Sequence, residues 1–125
     1  QFSFRAPKRW NEGTCTAIFV WAHPATTVNF GVTWKIQGIA LSDNDAADAA
    51  FGTAIAVSDT GGVTNNIYLT AETAAMTLGG TPQEGDLMFF QVYRDPADAS
   101  DTMAVDAKLL GVHLFWTADR SSEPV

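Results

Sequence analysis

Apolar and polar residues alternate with a period of two through most of this chain, and the alternation predicts eight strands. They are Gln1–Ala6, Thr14–Ala22, Phe30–Leu41, Thr53–Ser58, Ile67–Ala71, Ala74–Leu78, Leu87–Arg94 and Ala107–Thr117. In the second, Cys15, Ala17, Phe19 and Trp21 share one face, and Thr14, Thr16, Ile18 and Val20 share the other. Its second half is apolar on both faces, the pattern of a central strand covered on both sides. In the third, Phe30, Val32, Trp34 and Ile36 point one way, and Gly31, Thr33, Lys35 and Gln37 the other. Beyond Gly38 both faces turn apolar, and a glycine at such a switch suggests a bulge or bend. Phe19, Trp21, Trp34, Phe89 and Leu114 are the expected core.

Between the strands, Pro7 ends the first, Lys8–Gly13 reads as a turn around Trp10, and His23-Pro24 stops the second. Gly61-Gly62 marks a turn between the fourth and fifth. Residues Ser42–Phe51 interrupt the β pattern and predict one short helix. Ser42 can cap its N–H groups, the acids suit its positive end, the alanines propagate it, and Gly52 can close it. Short strands separated by turns predict an all-β, antiparallel two-sheet sandwich, and eight strands permit a jelly roll. No repeat or linker divides the 125 residues, so residues 1–125 read as one domain, with 118–125 as a tail.

Charge narrows the choice of partner. The net charge is −7, and it is uneven: residues 1–41 hold Arg5, Lys8, Arg9 and Lys35 against Glu12 alone, while 13 of the 14 acids lie beyond. No basic stripe with interleaved aromatics is present, and an acidic domain is repelled by phosphate backbones, so nucleic acid is a poor partner. No apolar run approaches the ~20 residues of a membrane-spanning helix. Cys15 is the one cysteine, which excludes an internal disulfide and reads as a buried thiol.

Candidate chemistry is sparse. Asp43, Asp45 and Asp48 form one acidic cluster, and Asp95, Asp98, Asp101 and Asp106 a second; flexible oxygen-rich loops are what Ca²⁺ requires. Neither has the glycine and terminal glutamate of a helix-loop-helix calcium site. Helix capping accounts for the first and a solvated loop for the second, so no metal is expected. His23, His113 and Cys15 are too few for a tetrahedral zinc site. His23 lies in a turn and His113 in a strand, with no Gly-x-Ser-x-Gly elbow, and the strand interiors hold no carboxylate pair for glycoside hydrolysis. Gly61-Gly62 and Gly79-Gly80 lack the Lys-Ser/Thr of a phosphate loop. No catalytic residue and no cofactor is expected. Trp10 is the single candidate binding residue: it is either an exposed platform for a sugar or a partner side chain, or a lid on the end of the sandwich, the commoner fate of a tryptophan.

Several stretches together resemble one family. They are Phe4-Arg5-Ala6-Pro7 with Trp10; Val32 to Gly38; Asp43 to Gly52; Gly80-Thr81-Pro82 with Gly85-Asp86-Leu87; and Phe90 to Asp95 leading to Asp101 through Gly111. The chain resembles a jelly-roll-like domain at the C-terminal end of virion-associated proteins, in tail or head appendages, of tailed bacteriophages. The resemblance implies a trimeric structural module located in the virion, and a further β-rich stretch upstream. The strand pattern that begins at Gln1 fits the C-terminal part of a longer chain. The expected function is a non-enzymatic structural or adhesive module that oligomerises and contacts a host-surface glycan or another virion protein. The alternative is a free-standing carbohydrate-binding module.

Overall fold

Two antiparallel sheets pack face to face in the computed structural model, which describes residues 2–5, 10–24, 30–83 and 85–118. Of residues 4–5, 10–13 and 117–118 it describes the backbone alone. The strands are β1 (Phe2–Arg5), β2 (Trp10–Ala22), β3 (Phe30–Leu41), β4 (Ile55–Gly61), β5 (Tyr68–Leu69), β6 (Gly79–Gly80), β7 (Leu87–Arg94) and β8 (Lys108–Ala118). One sheet has the order β1-β7-β3-β4, with β6 running parallel to the far end of β3, and the other has the order β5-β2-β8. All the connections except β3–β4 and β6–β7 cross from one sheet to the other. The fold is a β-sandwich, as the alternation predicts.

The alternating residues of the two long strands build the core. Cys15, Ala17, Phe19 and Trp21 from β2 meet Val32, Trp34, Ile36 and Ala40 from β3 and Met88 and Phe90 from β7, all buried. Phe19 stacks on Trp34 across the sheets at 6.2 Å between ring centroids. Val112, Leu114 and Trp116 of β8 close the near side, half-buried and opposite Phe19, Ala17 and Cys15. Gly38 shares the inward face of β3, directly opposite Phe90. A Cβ there would stand 2.7 Å from the Phe90 ring and 2.7 Å from Leu78 Cδ2. The β3–β7 register runs unbroken through this position, so Gly38 marks no bulge. It makes room for a ring.

Three other expectations are corrected. Phe89 is half-buried on the outer face, and its neighbour Phe90 occupies the core. Leu87 to Phe90 is apolar at every position, so alternation within β7 cannot tell one face from the other. Residues 10–13 continue β2 rather than form a turn; Trp10 pairs with Ala118 ahead of a register shift before Cys15. Ala74–Leu78 is no strand beyond a single bridge from Met76 to Cys15. There, the hydroxyls of Thr70 and Thr73 accept from Phe19 N–H at 3.1 Å and Ala17 N–H at 3.0 Å, substituting for backbone carbonyls.

The segment Ser42–Phe51 contains no helix among the described residues. Asn44 sits in the left-handed region (φ 71°) and breaks any helical run at its third residue. Ser42 does not cap: its N–H donates to Asp45 Oδ2 at 2.8 Å and its hydroxyl to Asp86 Oδ1 at 2.6 Å. A helix this short is marginal alone and needs a buried face, yet residues 43–50 are all exposed. The segment makes two turns instead. Ala47, Ala49 and Phe51 line one small concavity with Ile39, Leu41 and Phe89 on the outer face of β3 and β7.

Candidate functional site

Within the two acidic clusters, the carboxylates of Asp45, Asp95, Asp98 and Asp101 are engaged in local hydrogen bonds. Asp45 holds the first turn closed through Ser42, as above. In the second, Asp101 is the organising residue, its side chain almost fully buried. Arg94, the last residue of β7, donates from Nε to Asp101 Oδ2 at 2.9 Å and from Nη2 to Oδ1 at 2.7 Å. The same guanidinium also donates to the carbonyls of Met103 and Val105. Asp101 Oδ2 accepts in addition from Thr33 N–H at 3.0 Å. Burial pushes the Asp101 carboxyl up, but the Arg94 hydrogen bonds, the Thr33 N–H and the arginine charge outweigh it and hold the group below the usual carboxylate range. Asp95 pairs with Lys35 at 3.0 Å and accepts from Ala97 N–H, while Asp98 accepts from Ser100 N–H. The loop is a clamp: it extends the sheet beyond β7 by donating Asp95 N–H to Thr33 O and Thr102 N–H to Gly31 O, each at 2.9 Å. Among the described residues no three His, Cys, Asp or Glu side chains gather as a metal site.

The candidate soft ligands and nucleophiles lie apart in character. Burial pushes the Cys15 thiol up to about 12, so it stays protonated and inert. His23 is fully buried, stacked on Tyr68 at 5.9 Å and tilted against Trp21 at 5.8 Å. Neither of its ring nitrogens has a hydrogen-bond partner among the described residues. Trp21 Nε1 donates to Asp59 Oδ2 at 2.9 Å, and Tyr68 Oη accepts from Val63 N–H at 2.6 Å, so this aromatic cluster pins the β4–β5 connection. His113 is exposed on the outer face of β8, opposite Ile18. The side chain of Trp10 lies outside the described residues.

What remains is surface. A concavity of about 460 Å³ opens on the outer face of the first sheet, lined by Leu41, Asp45, Ala47, Asp86, Leu87 and Phe89 among others. A slot of about 350 Å³ runs between the sheets at the β1/β8 side, lined by Phe2, Leu109, Leu110, Gly111 and Val112. The outer face of the second sheet carries Ile18 and Val20 half-buried, with Leu69 and Phe115 exposed beside them. The sequence pattern suggested that β2 is covered on both faces, and it is central in its sheet, but no second layer of described residues covers this side. Ile67 and Leu69, one face of a predicted strand, are turned outward at 63% and 58% exposure, and Tyr68 turns in. No protein-family model, no curated protein and no solved structure matches this chain.

Proposed function

We propose that this domain is a non-enzymatic structural or adhesive module of a phage virion appendage, assembling with further copies of itself. The observation that carries the assembly is the outer face of the second sheet, where Leu69 and Phe115 are 58% and 44% exposed on the side that also carries Ile18 and Val20. Apolar side chains exposed together on one sheet face, here beside the polar Thr16 and His113, support an interaction site. The phage setting, the virion location and a jelly-roll winding rest on the family resemblance, and the repeated crossing of the chain between sheets supports the winding. The resemblance favours three copies; the apolar surface by itself asks for more than one. The proposed contacts are with other virion proteins or a host-surface glycan.

Solution mass by light scattering, taken across a wide concentration range, tests the reading. An oligomer that dissociates on Phe115→Lys or Leu69→Lys supports it. A monomer that binds a glycan array, and loses binding on Trp10→Ala, supports the free-standing carbohydrate-binding module instead.

A further inference from the structure

We infer that β8 is the seam between copies: its outer edge pairs antiparallel with the same edge of a second copy, about a twofold axis at His113. The inference rests on the reading that copies associate, not on any particular number of them.

Three observations converge on this strand. First, β8 is eleven residues long, and among the described residues only β2 pairs with it. Long bare edges are ordinarily shortened, covered or charged, because their N–H and C=O groups template further pairing. The other lateral edges follow that rule: β1 has four residues, β5 has two and is prolonged by the Thr70 and Thr73 contacts, and β4 carries Asp59. The backbone of Cys15, Ala17 and Phe19 bonds towards residues 70–76, so Thr16, Ile18 and Val20 bond towards β8. Their partners Phe115, His113 and Gly111 are thereby satisfied, and the groups of Val112 and Leu114 point to the outer edge.

Second, the strand itself carries no negative charge to repel a second copy. None of the 14 acids lies within Lys108–Ala118, although the molecule carries −7 overall.

Third, the edge is self-complementary. With His113 opposite His113, Val112 faces Leu114 of the second copy and the two exchange backbone hydrogen bonds, while Gly111 faces Phe115. A Cβ built on Gly111 meets nothing within 4 Å, so the space over it is open, and Phe115 stands exposed on the same face. Ring over glycine is the arrangement Phe90 and Gly38 already use in the other sheet. A bulge at Leu110 ends the regular stretch on one side, leaving Gly111–Phe115 as the pairing segment. The product is one continuous sheet, β5-β2-β8 joined to β8-β2-β5.

The test combines mass with crosslinking. Opposed residues without mutual backbone bonds stand about 4.5 Å apart at Cα, within reach of a disulfide. The His113→Cys protein, treated with oxidised glutathione to take up the two electrons, is expected to form a covalent dimer, and the exposed control Thr53→Cys is not. Light scattering of the unaltered chain is expected to give two copies or an even number. His113→Glu, which sets like charges opposite each other, and Gly111→Val, which fills the space over the glycine, are expected to raise the dissociation constant about tenfold or more with the unfolding midpoint of the dilute protein unchanged. A trimer or other odd number overturns the pairing and leaves the assembly reading standing. A monomer at every concentration overturns both. A dimer that fails to crosslink through position 113, or that is indifferent to His113→Glu and Gly111→Val alike, overturns the pairing alone.

Discussion

Arg94 and Asp101 face each other through two parallel hydrogen bonds, and between them they fasten a thirteen-residue connection to the sheet. The pair sits where β7 stops pairing with β3, so the loop continues the ladder that the strand abandons. Removing Arg94 leaves the buried Asp101 charge without its counter-ion, and removing Asp101 leaves a part-buried guanidinium with only the Met103 and Val105 carbonyls. Asp101→Ala is expected to cost about 3 kcal/mol, and Arg94→Met a similar amount, with the double variant costing less than the sum. Urea denaturation of the four proteins measures the coupling.

The same pair sets an acid limb of stability. Because the folded protein holds the Asp101 carboxyl below its ordinary value, the unfolded chain takes up the proton first, and lowering the pH favours unfolding. The contribution is complete above about pH 4, the unfolded carboxylate value, and is lost as pH falls through the depressed folded value. Denaturation midpoints measured between pH 7 and pH 2 are expected to fall less steeply in Asp101→Asn than in the unaltered protein.

Gly38→Ala inserts a methyl group between Phe90 and Leu78 where no room exists. Overpacking of this kind costs about 1–3 kcal/mol. Combining it with Phe90→Leu, which withdraws the ring, is expected to recover part of that loss, and thermal unfolding of the single and double variants reads it directly.

Phe89 and Phe90 are adjacent in sequence and opposite in consequence. Phe90→Ala opens a cavity in the centre of the sandwich and is expected to cost about 3–5 kcal/mol. Phe89→Ala, on the half-buried outer face, is expected to cost less than half as much. Equal losses in chemical denaturation would mean that the outer face is as tightly covered as the core.

Cys15 is expected to resist a water-soluble maleimide at pH 8 in the folded protein and to react fully in denaturant. Its thiol is buried between the sheets and its ionisation pushed up to about 12. Labelling followed by mass spectrometry checks this, and rapid native labelling would show that the packing around Met76 opens readily.

The period-two pattern by itself determined the β class, the two long strands and the face that each turns inward, because a residue's side of a sheet follows from its parity alone. Cys15, Phe19, Trp21, Val32, Trp34 and Ile36 all lie where parity puts them. Parity has no content where every residue is apolar, and for that reason Phe89 was legible as core when Phe90 is. Tertiary contacts decided the rest. Ser42–Phe51 carries the local signals of a helix, but the Asp86 carboxylate draws off the Ser42 hydroxyl, and a run with no buried face has nothing to hold a helix together. Gly38 is read from the strand as a bend, whereas a ring from another strand explains it. Parity does not say which strand is an edge: whether β8 is covered depends on which strands reach its side of the sheet, and only the path of the whole chain decides that.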